Sequence, residues 1–308
     1  MKKFVFSILF FTLILLGLAF IADFVISNNL RSYGDNISSG LNEIYSGKLQ
    51  NDIVIVGSSR AFVQYNPQIL DSILGVNSYN LGTDGGAINR QIIKYNFYRQ
   101  FNDKPKVIIQ NIDYGTMGIT SGFQREQFFP YFSVSSIKTE VFRYENLNIL
   151  EKYFPFFRYY GKDGLILTAI GILKVKKLYK GFLAQDMTWD GSRLAQLTEI
   201  NYSKDSLALL LFDEYLAKAY SENIKIIFVY APVYIGAADI IKNIEEMRQM
   251  YESIAVKYDI PILDYYTYDS ISYDIDYFYN ANHMNRKGAE LFSTKLAHDI
   301  DSLGIIVN

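Results

Sequence analysis

Ser59 stands in the run Gly57-Ser58-Ser59-Arg60, directly after the β-branched stretch Ile53-Val54-Ile55-Val56. A serine on a turn at a strand end presents its hydroxyl where parallel sheets keep their sites, and backbone amides there can hold an oxyanion. A hydroxyl is a weak nucleophile until a base takes its proton, and histidine is the usual base. The chain offers two histidines, His283 and His298. His283 lies in Asn280-Ala281-Asn282-His283-Met284-Asn285-Arg286-Lys287-Gly288. Asn285 suits an N-cap whose side chain bonds the Gly288 amide, which fixes His283 in an ordered loop just before a helix. His298 sits on that helix beside Asp299 and reads as an exposed residue. A lone Gly-Ser-Ser is usually an ordinary turn, and a lone histidine in a capping loop is usually just that. Their order on one strand-helix pattern is what makes Ser59 and His283 a reactive pair.

Other chemistries fare worse. There are no cysteines, which removes thiol nucleophiles, disulfides and zinc-thiolate sites together. Asp84 and Asp113 fall at strand ends, where paired carboxylates serve glycosidases and metal sites. Nothing in the sequence fixes their separation, and Asp is common in turns. No cofactor and no metal are expected. A net charge of −2 gives no electrostatic reason to bind nucleic acid.

The elements that must position these residues alternate along the chain. Residues 53–56, 78–81, 107–109, 224–230 and 261–263 read as short, buried strands. Helices are expected at 66–75, where Asn66-Pro67 supplies the cap and first turn and Gly75 the stop, and at 87–101, 206–220, 240–258 and 286–302. This β-α-β-α order predicts a flavodoxin-like, three-layer parallel sheet covered on both faces, with its site beyond the C-terminal strand ends. Residues from about 114 to 200 break the pattern and read as an inserted helical lobe. Its aromatic runs, Gln127-Phe128-Phe129-Pro130-Tyr131-Phe132 and Tyr153-Phe154-Pro155-Phe156-Phe157-Arg158-Tyr159-Tyr160, suit the lobe's own core or a platform for sugar rings. Lys174, Lys176, Lys177 and Lys180 read as a solvated face, with anionic lipid headgroups a secondary reading.

Four local patterns line up with the strands: Gly57-Ser58-Ser59-Arg60, then Asn80-Leu81-Gly82-Thr83-Asp84-Gly85, then Asn111-Ile112-Asp113-Tyr114, then Asn280-Ala281-Asn282-His283. On these the chain, over roughly residues 50–302, resembles the SGNH/GDSL hydrolases, and within them the membrane-anchored branch that includes proteins of bacterial glycan acylation and deacylation. The resemblance implies that Ser59 is the nucleophile, with Ser58 where the family has Asp. It implies that Gly85 offers an oxyanion amide and that His283 is the base. The Asp of the family's Asp-x-x-His is Asn280 here. The third-block Gly-x-Asn-Asp is absent, with Tyr114 at roughly the Asn position, so Asn111 or Tyr114 is expected to assist the oxyanion. Asn280 can still accept the imidazole N–H through its amide oxygen, without a charge, and is expected in the catalytic set; the other candidates to orient His283 are Asp274, Asp276 and a backbone carbonyl.

Lys2 and Lys3 precede an apolar run from Phe4 to Ile21, interrupted only by Ser7, Thr12 and Gly17. As a helix it spans roughly 27 Å, close to a bilayer's hydrocarbon thickness. An uncleaved anchor is favoured over a signal peptide, because Ala19-Phe20-Ile21-Ala22 makes a poor cleavage site. The expected organisation is an anchor at 1–28, a stalk at 29–50 and a hydrolase domain at 51–308, the bulk lying outside the cytoplasm. The expected activity is ester hydrolysis or acyl transfer on cell-envelope or extracellular glycan. The rival expectation is a non-catalytic glycan-binding or accessory envelope protein with a degenerate site.

Overall fold

The structure is a computed structural model that describes residues 1–32, 39–120, 125–145, 147–173 and 178–305. It divides into two compact units, one drawn from residues 1–42 and 121–177, the other from 43–120 and 178–308.

The second unit carries a five-stranded sheet. Its strands are β1 (Ile53–Val56), β2 (Ser78–Asn80), β3 (Val107–Asn111), β4 (Lys225–Tyr230) and β5 (Ile262–Asp264), in the order β2-β1-β3-β4-β5. Every neighbouring pair is parallel. This is the flavodoxin-like order, and its direction of growth reverses between β1 and β3. Alternate side chains of a strand leave opposite faces, so a buried strand must be apolar on both. Ile53, Ile55, Val107, Ile109, Ile227 and Val229 share one core with Leu70 of the helix Pro67–Leu74 and Phe292 and Leu296 of the helix Arg286–Ser302. On the other face Phe228 stacks on Phe212 of the helix Ser206–Ser221 (5.8 Å between centroids) and meets Tyr251 of the helix Ile244–Tyr258 edge-on. The three-layer α/β architecture read from the sequence is the one observed.

Several boundaries differ. The helix expected from residue 240 begins at Ile244, because Ile241 is extended in a β-bridge with Ile200, which separates the helix from a 3-10 turn at Ile235–Ile240. A short helix, Ser59–Gln64, follows β1, and a two-stranded hairpin of β6 (Phe278–Asn280) and β7 (His283–Met284) precedes the last helix. Neither has enough periodic residues to announce itself in sequence. Residues 178–200, expected in the lobe, belong to the sheet unit. Lys180 O accepts from Asn80 N, Leu183 N donates to Phe62 O, and Trp189 N donates to Phe278 O.

In the first unit the helix Lys2–Ser32 runs past the expected anchor boundary at residue 28. Residues 2–15 are exposed throughout, whereas Asp23, Ile26, Ser27 and Leu30 are buried on one helical face. Asp23 pairs with Arg158 and accepts from Phe156 N at 2.7 Å, Ser27 shares a 2.8 Å hydrogen bond with Tyr159 Oη, and Arg31 donates to Pro130 O. The helix end is therefore part of the lobe's core, which the expected anchor-and-stalk division did not anticipate. The cue was the polar pair Asp23 and Ser27, four residues apart, at the end of an apolar run. Of the expected stalk, residues 33–38 lie outside the described residues, as do Lys174, Lys176 and Lys177 of the basic run. Lys180 pairs with Asp71 at 2.5 Å. Phe128, Phe129 and Tyr131 are fully buried, so the first aromatic run is core and not a sugar platform.

Candidate active site

The position of Ser59, the expected nucleophile, follows from the sheet. β1 ends at Val56, Gly57 turns the chain, and Ser58 caps the helix Ser59–Gln64 by accepting from Arg60 N. A Cβ on Gly57 would lie 2.7 Å from both the Ala61 and Asn111 Cβ atoms, so only glycine lets this turn pass the end of β3. The second loop is clamped to the first. Thr83 N donates to Gly57 O at 3.0 Å, Gly82 N to Asn80 Oδ1 at 2.7 Å, and Asn80 Nδ2 to Ala61 O and Tyr65 O. Buried Lys94, its pKa lowered to about 8 by desolvation, donates to Gly82 O at 2.8 Å. This brace had no signal in the sequence beyond a lysine on a helix.

His283 begins β7, directly opposite Asn280 on β6. Its Nε2 lies 2.7 Å from Ser59 Oγ, and its Nδ1 lies 2.9 Å from Asn280 Oδ1. The backbone N of Asn282 also donates to Asn280 Oδ1, at 3.0 Å. An amide nitrogen in that place would face two N–H groups, so the carbonyl end of Asn280 is fixed toward the ring. Asn280 then accepts from Nδ1–H, and the lone pair of Nε2 points at the serine hydroxyl. This is the tautomer a general base needs. Asp274, one of the other groups expected to orient His283, instead caps the turn at Ile275–Tyr277 by accepting from Asp276 N. The expected cap is present as well, with Gly288 N donating to Asn285 Oδ1 at 3.2 Å. Tyr279 stacks on the His283 ring, its centroid 5.5 Å away. Burial, then the charge of Arg60, push the His283 pKa from its ordinary value down to about 3, so the ring is neutral at neutral pH.

These groups open on a cavity of about 250 Å³ lined by Ser58, Ser59, Arg60, Gly85, Gly86, Asp113, Tyr114, Asn282 and His283, among others. It sits at the C-terminal ends of β1 and β3, the sheet's reversal point. Gly85 and Tyr114 are on its wall as expected; Gly85 has a φ of +59°, which suits glycine. Asn111 is not. It is fully buried, its Oδ1 accepting from Tyr65 Oη at 2.8 Å and its Nδ2 donating to Asp113 Oδ2 at 3.0 Å. As the last residue of β3 it points into the packing under Gly57, so the expected oxyanion role is corrected to support of Asp113. Asp113 itself accepts from Ser58 Oγ at 2.6 Å and Gly115 N at 2.9 Å. Ser58 thus ties the turn that carries Ser59 to the end of β3. His298 is exposed on the last helix, apart from all of this.

No family model matches the chain, and no curated protein matches it. Solved structures similar to it include GDSL proteins. One, from Desulfitobacterium hafniense DCB-2, is described as a lipolytic protein of the G-D-S-L family. It is 13% identical over 81% of this chain and 99% of its own, with a TM-score of 0.43. A protein from Streptococcus pneumonia described as a platelet activating factor is 12% identical over 89% of this chain and 91% of its own, at 0.42. A GDSL-like lipase from Bacteroides thetaiotaomicron VPI-5482 is 10% identical over 86% of this chain and 100% of its own, at 0.37.

Proposed function

We propose that the protein is a serine ester hydrolase or acyl transferase. The observation that carries this is the relay from Ser59 Oγ through His283 to Asn280 Oδ1, with bonds of 2.7 and 2.9 Å. Ser59 Oγ attacks the ester carbonyl carbon while its proton passes to Nε2 of His283. The carbonyl oxygen becomes an oxyanion received by the backbone amides of Ser59 and Gly85, with Tyr114 on the same wall. Collapse breaks the bond to the alcohol, which leaves with the proton from Nε2, and the acyl group stays on Ser59. Water then attacks the acyl-serine in a hydrolase, or an acceptor hydroxyl does so in a transferase. Either gives its proton to His283, which returns it to Ser59.

The helix Lys2–Ser32 is long and apolar enough to cross a membrane. With Lys2 and Lys3 on the inner side, it supports a membrane-anchored protein whose bulk faces out of the cytoplasm. An acylated envelope or extracellular glycan is the substrate that suits this place and the motif resemblance. A fluorophosphonate probe should label the native protein and not Ser59→Ala, and the native protein should release acyl groups from acylated envelope glycan. Asn280 in the family's carboxylate position favours a second reading, a glycan-binding accessory protein. In that case the probe labels nothing while glycan binding persists.

A further inference from the structure

Arg60 follows the nucleophile directly, and its side chain lines the same cavity. The residue is 4% exposed, yet the two groups that hold its guanidinium are uncharged. Its Nη2 donates to Asn282 Oδ1 at 3.3 Å, and its guanidinium lies 5.6 Å from the centre of the Tyr114 ring. Among the described residues no Asp or Glu forms an ion pair with it. Arg99, Arg125, Arg158, Arg248 and Arg286 each have such a partner. The one acidic residue on the cavity wall, Asp113, already accepts from Ser58, Asn111 and Gly115. A buried cation without a counter-charge is costly to keep, so folds that keep one usually have a partner for it. No nitrogen of Arg60 is a buried polar atom lacking a partner, so its unbonded N–H groups open on the cavity.

We propose that Arg60 recognises an anionic group, a carboxylate or a phosphate, carried by the substrate within a few bonds of the ester that Ser59 attacks. A guanidinium presents paired N–H donors in a planar fork that matches both groups. Tyr114 and Asn282 hold that fork in place without competing for its charge. The inference rests on Ser59 being the nucleophile and narrows the substrate class to anionic esters.

The test compares three 4-nitrophenyl esters that share a leaving group: the acetate, the hemisuccinate and the phosphonoacetate. The full chain is assayed in detergent, and kcat/KM for each anionic ester is divided by that for the acetate. Within one preparation this ratio does not depend on the fraction of protein that is active. Corrected for the esters' intrinsic reactivity, the native ratio should exceed ten for at least one anion. Which anion it favours separates carboxylate from phosphate recognition. Arg60→Gln should bring the ratio to near one, and Arg60→Lys should retain part of it. A native ratio near one overturns the proposal without any variant, so it stays testable if Arg60→Gln does not fold. An equal fall for all three esters in Arg60→Gln overturns it too, because that marks an oxyanion donor and not an anion site. If no ester is hydrolysed and no serine probe reacts, the nucleophile reading fails and this one falls with it. Acetate hydrolysis without anion preference removes the Arg60 inference alone.

Discussion

Replacing Asn280 by Asp would add one negative charge to an atom 2.9 Å from His283 Nδ1 and change little else. In chymotrypsin-type proteases the opposite change, Asp to Asn, costs about 10⁴ in turnover because it imposes the wrong tautomer. Here Asn282 N already fixes the Asn280 carbonyl toward the ring, so the tautomer is right and only the charge is missing. A full charge at this distance acts on an imidazolium with roughly 6 kcal/mol at an effective dielectric constant of about 20. Opposite charges at such range shift protein pKa values by about 1–3, so the imidazolium gains on the order of 1.4–4 kcal/mol. With the proton roughly half transferred at the barrier, about half of that gain lowers it. Turnover of Asn280→Asp on 4-nitrophenyl acetate at pH 7.5 is therefore expected to rise roughly 3- to 30-fold. Isotope-labelled histidine NMR reads the accompanying rise in the His283 pKa, and His298 is the only other signal. An unchanged or slower rate, with the His283 pKa raised, would refute the view that the missing charge limits this site. An unmoved pKa would refute the contact itself.

Ser59→Ala should abolish esterase activity. Ser58→Ala should keep a substantial rate, since Asp113 retains Asn111 and Gly115; equal losses would misplace the nucleophile. His283→Ala should match Ser59→Ala and His298→Ala should match the native protein, as read by probe labelling and ester hydrolysis. His283 is held neutral, its pKa near 3, so between about 6.5 and 3 the unfolded chain binds a proton that the folded chain does not. Stability present above about pH 6.5 should fall as the pH drops through that window, and His283→Gln should flatten the fall in urea midpoints; parallel curves would count against it. Removing residues 1–15 should leave the lobe intact. Asp23→Ala, which strands Arg158, should destabilise it by on the order of 3 kcal/mol in a thermal melt.

What could be read in the sequence was whatever repeats or alternates. All five strands of the sheet follow from short apolar runs and most helices from apolar periodicity, and Asn66-Pro67 with Gly75 marked one helix at both ends, as observed. That Ser59 and His283 would meet was legible because each adjoins such an element. Asn111 was misplaced because its position at a strand end says nothing about which way its side chain turns. There it faces Tyr65, 46 residues away in sequence. Arg60 and Asn282 stood within motifs already singled out, but their meeting across 222 residues is a tertiary fact. The role of Asp23 was hidden for the same reason, since its partner Arg158 lies 135 residues on.

Those separations also order events in a chain made from its N-terminus. The unit built on the helix Lys2–Ser32 has all its residues once position 177 has been synthesised. At that moment β4 and β5 do not yet exist, and the sheet has only its first three strands. His283, whose Nε2 meets Ser59 Oγ, is made 224 residues after it. All residues of the unit that carries the apolar helix are thus made before the contact between Ser59 and His283 can form. Parallel pairing of such distant segments is slow compared with local helix formation.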